Sequence, residues 1–283
     1  MDPFIDLIDQ ELLRFERRLD DVLEADVELA HEIARYMSTL KGKRLRPALA
    51  LLSAKAAGEW NEQVIDAAVA VEMIHAATMV HDDVVDFADK RRGTEVLNLR
   101  WGNQAAVLMG DFLLARALQV LVGLDSMEVM RAATRAVGRM IEGEIQEIQG
   151  GVEAESAIYF SMIDKKTASL MALSCEVGAI LGGGTPEQIA QMSTFGKEVG
   201  IAFQITDDLL DFTGDEESLG KPVGNDVRER KLTLPLILAL GNCQNGEAER
   251  IQAKVRSGIE SDEELQEVFH FVERYKGIEE ARE

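Results

Sequence analysis

The sequence predicts an all-α fold in a single domain, and three observations carry that expectation. Aromatic residues make up only 5% of the 283 residues and Pro only 5 residues, while Ala, Leu, Met and Glu dominate, a composition that favours helix over strand. Apolar residues recur at helical spacing along most of the chain and form 46% of it, enough for a large core. No stretch alternates apolar and polar residues as a half-buried strand would, and no low-complexity segment or linker interrupts the pattern.

In chain order, Asp2-Pro3 reads as an N-cap and first-turn proline, followed by the stripe Phe4, Ile8, Leu12, Phe15, Leu19 and Leu23. A second helix covers about residues 27–39. The period lapses at Leu40-Lys41-Gly42-Lys43-Arg44-Leu45-Arg46-Pro47, a basic turn leading into a helix that ends at Gly58. A long apolar helix follows over about residues 62–87, then a short segment ending at Trp101-Gly102. Asn103 is expected to cap the helix of residues 104–124, and Ser126 to start the next, which ends at Gly150-Gly151. Residues 155–181 are helical by period, with polar Lys165-Lys166-Thr167 in the middle. That triplet is either a break exposing backbone carbonyls or an ordinary amphipathic face. Thr185-Pro186-Glu187-Gln188 is a capping box with proline at the first helical position, opening a helix to about Phe212. A loop with Gly214, Gly220, Pro222 and Gly224 carries Asp215 and Lys221. Helices near residues 234–240 and 248–255 follow, and the box Ser261-Asp262-Glu263-Glu264 starts the last one.

The net charge of −21 argues against nucleic acid, which needs a basic surface, and against general attraction to anionic lipid. An anionic substrate must then be gripped locally. Cys175 and Cys243 lie in apolar helical contexts without metal-ligand spacing and read as small buried hydrophobes in a reduced compartment. The acidic start Met1-Asp2-Pro3 lacks the basic opening of a signal peptide, and no 18-residue apolar run is free of charge. A cytoplasmic protein without a stable membrane anchor is expected.

The chemistry concentrates in two acidic stretches. His81-Asp82-Asp83-Val84-Val85-Asp86 closes the helix of residues 62–87, and helical geometry puts His75, Asp82 and Asp86 on one face. Gln204, Asp207, Asp208, Asp211 and Asp215 form a comparable stripe around Asp207-Asp208-Leu209-Leu210-Asp211. Both read D-D-x-x-D inside apolar helices. Carboxylates one turn apart lie about 6 Å from each other and repel by roughly 3 kcal/mol at an effective dielectric near 20. Divalent cations relieve this, and oxygen ligands with a phosphate partner describe Mg²⁺. Each stretch is trailed by cations: Lys90-Arg91-Arg92-Gly93 after the first, Lys221 and Lys231 after the second. Carboxylates, metal and basic residues together suit a diphosphate.

Five separated motifs resemble the trans-isoprenyl diphosphate synthases, the polyprenyl synthetase family, over about residues 42–238. They are Gly42-Lys43-Arg44-Leu45-Arg46-Pro47; residues 81–86 with Arg91-Arg92-Gly93; Lys166-Thr167; Phe203-Gln204 with residues 207–211; and Gly220-Lys221 with Lys231. The resemblance implies a bundle of about ten or more helices around a central cavity, the isoprenoid synthase type. It implies a homodimer that condenses isopentenyl diphosphate with an allylic diphosphate, using three Mg²⁺ per substrate-loaded site. Carried over residue by residue, Lys43, Arg46, His75 and Arg92 hold isopentenyl diphosphate. Arg91, Lys166, Lys221 and Lys231 hold the allylic diphosphate. Asp82, Asp86 and Asp207 ligate Mg²⁺, with Asp83, Asp208 and Asp211 as ligands or supports behind them. Thr167 and Gln204 stand beside the reacting carbons. In that chemistry metal and cations stabilise the departing diphosphate, the double bond attacks the allylic cation, and the released diphosphate takes the proton. Water must be excluded.

Ala77 and Thr78, five and four residues before Asp82, are where the family sets product length, an aromatic stopping growth early. The local string is most similar to long-chain, octaprenyl-type synthases, the lesser alternative being that Ala77 merely permits close helix packing. Met109, Phe112 and Leu113, on the helix of residues 104–124, are candidates for a floor residue that could still cap the channel. Two departures stand out: Arg230 where the family often has glycine before Lys231, and an end at Ala281-Arg282-Glu283 where relatives usually continue with further helix, which reads either as a truncated C-terminus or as a disordered end. Two alternatives compete. A class I terpene cyclase mixes Asn, Ser and Glu in its second motif, and a regulatory subunit loses aspartates, whereas both motifs are complete here.

Overall fold

The computed structural model describes residues 6–39, 42–58, 60–91, 94–150, 154–214 and 223–283, and it is all-α apart from one short β-pair. The chain forms two compact units, one of Met1–Arg139 with Ala168–Val199, the other of Met140–Thr167 with Gly200–Glu283.

The first unit contains helices α1 (Asp9–Leu23), α2 (Glu28–Thr39), α3 (Leu45–Ala57), α4 (Gln63–Val85), α5 (Leu97–Trp101) and α6 (Asn103–Gly123), with α9 (Ser169–Leu181). It also holds the first part of α7 (Met127–Gly150) and of α10 (Pro186–Thr213). Helix α4 is its axis. Residues 67–74 are buried without a break, which explains why its sequence is apolar all round rather than on one stripe. Helix α9 lies against α3, and the approach is close at Gly178, where a Cβ would strike the Ala50 carbonyl. Leu49, Met171 and Cys175 form a small core cluster there. Helices α4 and α6 are long and apolar enough to cross a membrane by length and composition, but 61% of the α4 window is buried inside the protein.

The second unit takes the ends of α7 and α10, then α8 (Ser156–Ile163), a π-helical turn (Asp164–Ala168), α11 (Asn225–Arg228), α12 (Leu234–Asn242), α13 (Glu247–Ser257), α14 (Asp262–Arg274) and α15 (Gly277–Ala281). Tyr159, Ile163, Phe212, Leu236, Val268 and Phe271 are among its core residues.

Local signals translate directly into structure. The Thr185 box is reciprocal: Thr185 N–H donates to Gln188 Oε1 at 2.8 Å, and Gln188 N–H to Thr185 Oγ1 at 3.3 Å. Ser126 Oγ accepts from Val129 N–H at 3.3 Å, and Ser261 Oγ from Glu264 N–H at 3.2 Å. The stripe Phe15, Leu19 and Leu23 is buried as expected. The Asp2-Pro3 cap lies outside the described residues.

Several expectations need correction. Asn103 is the first helical residue of α6 rather than its cap, because Gly102 at φ +84° has already turned the chain between α5 and α6. Residues 156–181 stay helical throughout and pass through a π turn at Asp164–Ala168, so the polar triplet is neither an open break nor an ordinary α-helical face. Lys90–Arg91 and Thr94–Glu95 pair as antiparallel strands, too short to show an alternating pattern. Cys175 is buried, and burial pushes its thiol up to about 11. Cys243 is only half-buried, at the end of α12, packed against the edge of the second unit's core with Sγ 3.3 Å from Asn245 Oδ1.

Candidate active site

The first acidic motif sits where α4 ends. Asp86 N–H still donates to Asp82 O at 2.8 Å, Phe87 then turns left-handed at φ +54°, and Ala88 N–H reaches back to Asp83 O at 3.1 Å. This six-to-one closure stops the helix directly after the aspartates. His75, Thr78 and Asp82 lie on the half-buried side of α4 and Asp86 is exposed beyond its end, whereas Ala77, Val80 and Asp83 are buried. His81 Nε2 lies 3.1 Å from Val107 O and 3.5 Å from Asp111 Oδ1, tying the motif to α6. The β-pair places the Arg91 backbone opposite Thr94. Arg92 lies outside the described residues.

The basic turn before α3 is shaped by a residue for which sequence reasoning assigned no role. Arg44 is left-handed at φ +51°, and its guanidinium turns inward to Glu16 at 2.7 and 3.1 Å and Glu72 at 2.8 Å. Burial opposes its charge, but Glu16 and Glu72 outweigh that and raise its pKa. Lys43, one residue earlier, is exposed, and Arg46 in the first turn of α3 is half-buried. Arg44 thus anchors the turn to α1 and α4. Glu16 and Glu72 each lie 28 positions from Arg44, so nothing local signalled it.

In the second unit the π turn presents Lys166 and Thr167. Lys166 Nζ is held by Glu144 at 2.8 Å and by Glu147, both on α7. Burial works against the ammonium, and the two carboxylates more than compensate, so its pKa is raised. Gly143 makes room for this, since a Cβ there would meet the Lys166 backbone. Thr167 Oγ1 donates to Gln204 Oε1 at 2.8 Å, Gln204 Nε2 donates to Asp208 Oδ1 at 2.9 Å, and Tyr159 OH donates to Asp208 Oδ2 at 2.6 Å. Burial pushes Asp208 up to about 6, against the pull of the Tyr159 and Gln204 hydrogen bonds. Asp211 is fully buried, with Oδ2 accepting from Asp226 N–H at 3.2 Å. Asp207 is half-buried. The stripe read from spacing is therefore split: Asp208 and Asp211 turn into the unit. Lys231 Nζ pairs with Glu229 at 2.8 Å, and Lys221 and Asp215 lie outside the described residues.

The six motif aspartates divide by exposure. Asp82, Asp86 and Asp207 retain solvent access, whereas Asp83, Asp208 and Asp211 are 6%, 2% and 0% exposed. Among the described residues no three His, Cys, Asp or Glu side chains converge to hold a metal. Taken within each unit, one or two accessible carboxylates fit a divalent ion such as Mg²⁺, which takes its remaining ligands from water and substrate phosphate.

Arg230 adopts φ +64°, which accounts for glycine being frequent at this position in the resembling family. A left-handed backbone costs a non-glycine residue roughly 1–2 kcal/mol. Glycine gives back about 0.4–1 kcal/mol through the unfolded chain. Arg230→Gly is expected to raise the unfolding free energy by about 0.5–1 kcal/mol in urea titration. A loss instead would show that the guanidinium packed on Gly258 matters more than the strain.

The sequence model of the polyprenyl synthetase family matches residues 27–272. The chain is 38% identical over 267 residues to an all-trans-nonaprenyl-diphosphate synthase (geranyl-diphosphate specific) from Rhodobacter capsulatus, covering 93% of this chain and 81% of the relative. It is 38% identical over 238 residues to octaprenyl diphosphate synthase from Escherichia coli K12, covering 83% and 74%. The crystal structure of a polyprenyl synthase from Caulobacter crescentus CB15, complexed with calcium and isoprenyl diphosphate, superposes with a TM-score of 0.93 at 33% identity, covering 99% of this chain and 86% of that one. Other relatives at 35% identity are named heptaprenyl diphosphate synthase component 2 and geranylgeranyl diphosphate synthase. Both aspartate motifs, the Lys-Thr pair on its π turn and the anchored basic turn thus lie in a chain that belongs to the polyprenyl synthetase family.

Proposed function

We propose that this prenyltransferase uses Mg²⁺ to condense isopentenyl diphosphate with farnesyl or a similar allylic diphosphate, giving a long-chain all-trans polyprenyl diphosphate of the kind that serves quinone side chains. The observation that carries this reading is the division of the aspartates. Asp82, Asp86 and Asp207 keep the access that a ligand needs, while Asp83, Asp208 and Asp211 are buried behind them.

Lys43, Arg46 and His75, with Arg92, hold the diphosphate of isopentenyl diphosphate. Lys166, Arg91, Lys221 and Lys231 receive the leaving diphosphate of the allylic partner. Bound Mg²⁺ supplies the positive charge that makes the diphosphate a leaving group. Lys166 is already charged through Glu144 and Glu147, so it needs no proton transfer before it grips the diphosphate oxygens. Thr167 and Gln204 orient fixed dipoles toward the reacting carbons and do not themselves act as acid or base. The C–O bond breaks, the new C–C bond forms from the isopentenyl double bond, and the released diphosphate accepts the proton lost.

A cytoplasmic homodimer of single-domain subunits fits this reading. Val107, Leu108, Leu118 and Val122 form an exposed apolar stripe on α6, suited to a second copy. A geranylgeranyl-length product is the second reading, favoured by the buried position of Ala77 within α4. A non-catalytic regulatory subunit is disfavoured, because all six motif aspartates are present.

The test incubates the protein with Mg²⁺, labelled isopentenyl diphosphate and farnesyl diphosphate, and separates the dephosphorylated products by length. Products of seven or more isoprene units are expected. A ladder ending at geranylgeranyl rejects the long-chain assignment and keeps the reaction, and absence of incorporation rejects the reaction.

A further inference from the structure

We propose that Tyr159 is a positioning residue for prenyl transfer: its hydroxyl locks Asp208, and through Asp208 the Gln204–Thr167 pair, into the arrangement that presents Asp207 and Thr167 to the substrate. The proposal rests on the prenyl-transfer reading above and names a residue that none of the five motifs contains.

Tyr159 and Asp208 are 3% and 2% exposed, and their oxygens are 2.6 Å apart, the length of a hydrogen bond to an ionised acceptor. A carboxylate only accepts, so every partner of Asp208 must donate. Tyr159 serves Oδ2, Gln204 Nε2 serves Oδ1, and the Leu234 backbone N–H at the start of α12 also points to this carboxylate. That demand fixes the direction of the whole chain of bonds. With its amide nitrogen committed to Asp208, Gln204 can offer Thr167 only its oxygen. Thr167 must then donate to Gln204, which leaves its lone pairs facing elsewhere. Four elements meet in this way: α8, the π turn, α10 and the start of α12.

Successive helical residues are rotated by about 100°, so an Asp208 pinned inward sets the direction of Asp207 on the same turn of α10. Packing alone needs only the Tyr159 ring, which meets Phe160 edge-on at 5.5 Å. The hydroxyl is the part that acts on the site. Without it, Asp208 remains buried with one donor fewer, and the cheapest repair is to recruit the Gln204 amide or rotate the turn that carries Asp207.

Tyr159→Phe removes that single oxygen. The expected result is a kcat lower by about 10- to 100-fold and a several-fold higher Mg²⁺ concentration for half-maximal rate, as for other groups that orient metal ligands. KM for isopentenyl diphosphate is expected to stay within about two-fold, because its diphosphate is assigned to Lys43, Arg46 and His75, none of them among the four residues of this network. In a double-mutant cycle with Asp208→Asn, the pair is expected to be no slower than the slower single variant. Wild-type kcat and Mg²⁺ dependence in Tyr159→Phe overturn the proposal, as do losses that multiply in the double variant. Failure of Tyr159→Phe to fold also overturns the proposal, since the hydroxyl then serves stability rather than the site. Wild-type protein that makes no product sinks the prenyl-transfer reading itself, a result distinguishable from an active wild type matched by Tyr159→Phe.

Discussion

With Asp82 replaced by Asn, kcat is expected to fall by about 10³-fold, and Asp207→Asn is expected to do the same, since metal stabilisation of a departing charge is worth several kcal/mol at about 1.4 kcal/mol per tenfold. Neither change should cost much stability. Asp82 and Asp207 are half-buried, and removing one charge from a crowded acidic row relieves repulsion. Thermal midpoints without Mg²⁺ should therefore stay level or rise slightly. The buried aspartates should behave differently. Asp211 accepts the Asp226 N–H from a fully buried position, so Asp211→Asn is expected to lower stability by about 1–3 kcal/mol along with activity. Steady-state kinetics beside thermal unfolding separates the two groups. Turnover near wild type in both Asp82→Asn and Asp207→Asn would overturn the assignment of these carboxylates.

What could be read from the chain alone follows from how far each signal reaches. Caps at Thr185, Ser126 and Ser261 are contained within four residues, and each forms the side-chain hydrogen bond that its residue type suggests. At Lys165-Lys166-Thr167 three polar residues in an apolar run left a break and an ordinary face both open; the π turn found there packs against α7 at Gly143, a contact that local sequence does not reveal. Both aspartate motifs were legible by spacing, yet spacing cannot tell which carboxylates turn inward. That is decided by Tyr159, Leu234 and Asp226, which come from other elements. A Tyr within Ala157-Ile158-Tyr159-Phe160 reads as core, and it is core except at its hydroxyl. Arg44 looked like one more cation in a basic turn, because Glu16 and Glu72 lie on helices before and after it. Helices α11 and α15 span 4 and 5 residues, too few for a period to emerge. At Asn103 a good cap residue was passed over, since Gly102 alone tolerates the backbone turn that starts α6.

Ala77→Phe is expected to shorten the product by several isoprene units, and its effect on stability says why. Ala77 is 2% exposed and lies about 140° around α4 from Asp82, so it does not share the His75–Asp82 face. A benzyl group introduced there has two possible surroundings. If Ala77 borders a channel that the growing chain occupies, the ring fills that space, the thermal midpoint barely moves, and elongation stops early. If Ala77 is simply a contact between packed helices, the ring overfills the core at a cost of about 1–3 kcal/mol, and product length stays put. Thr78 provides the contrast. It lies about 40° from Asp82, half-buried, with its hydroxyl donating to His75 O at 2.9 Å along its own helix. Thr78→Phe that shortens products while Ala77→Phe does not would put the channel on the aspartate face of α4. On α6, Met109 and Leu113 are buried, whereas Phe112 is half-buried beneath Arg116 at 5.1 Å, so the first two are the better candidates for a channel floor. Product chromatography and calorimetry on the same two preparations, Ala77→Phe and Thr78→Phe, therefore locate the channel. A destabilised Ala77→Phe with wild-type products would remove Ala77 from length control and leave it as a packing residue.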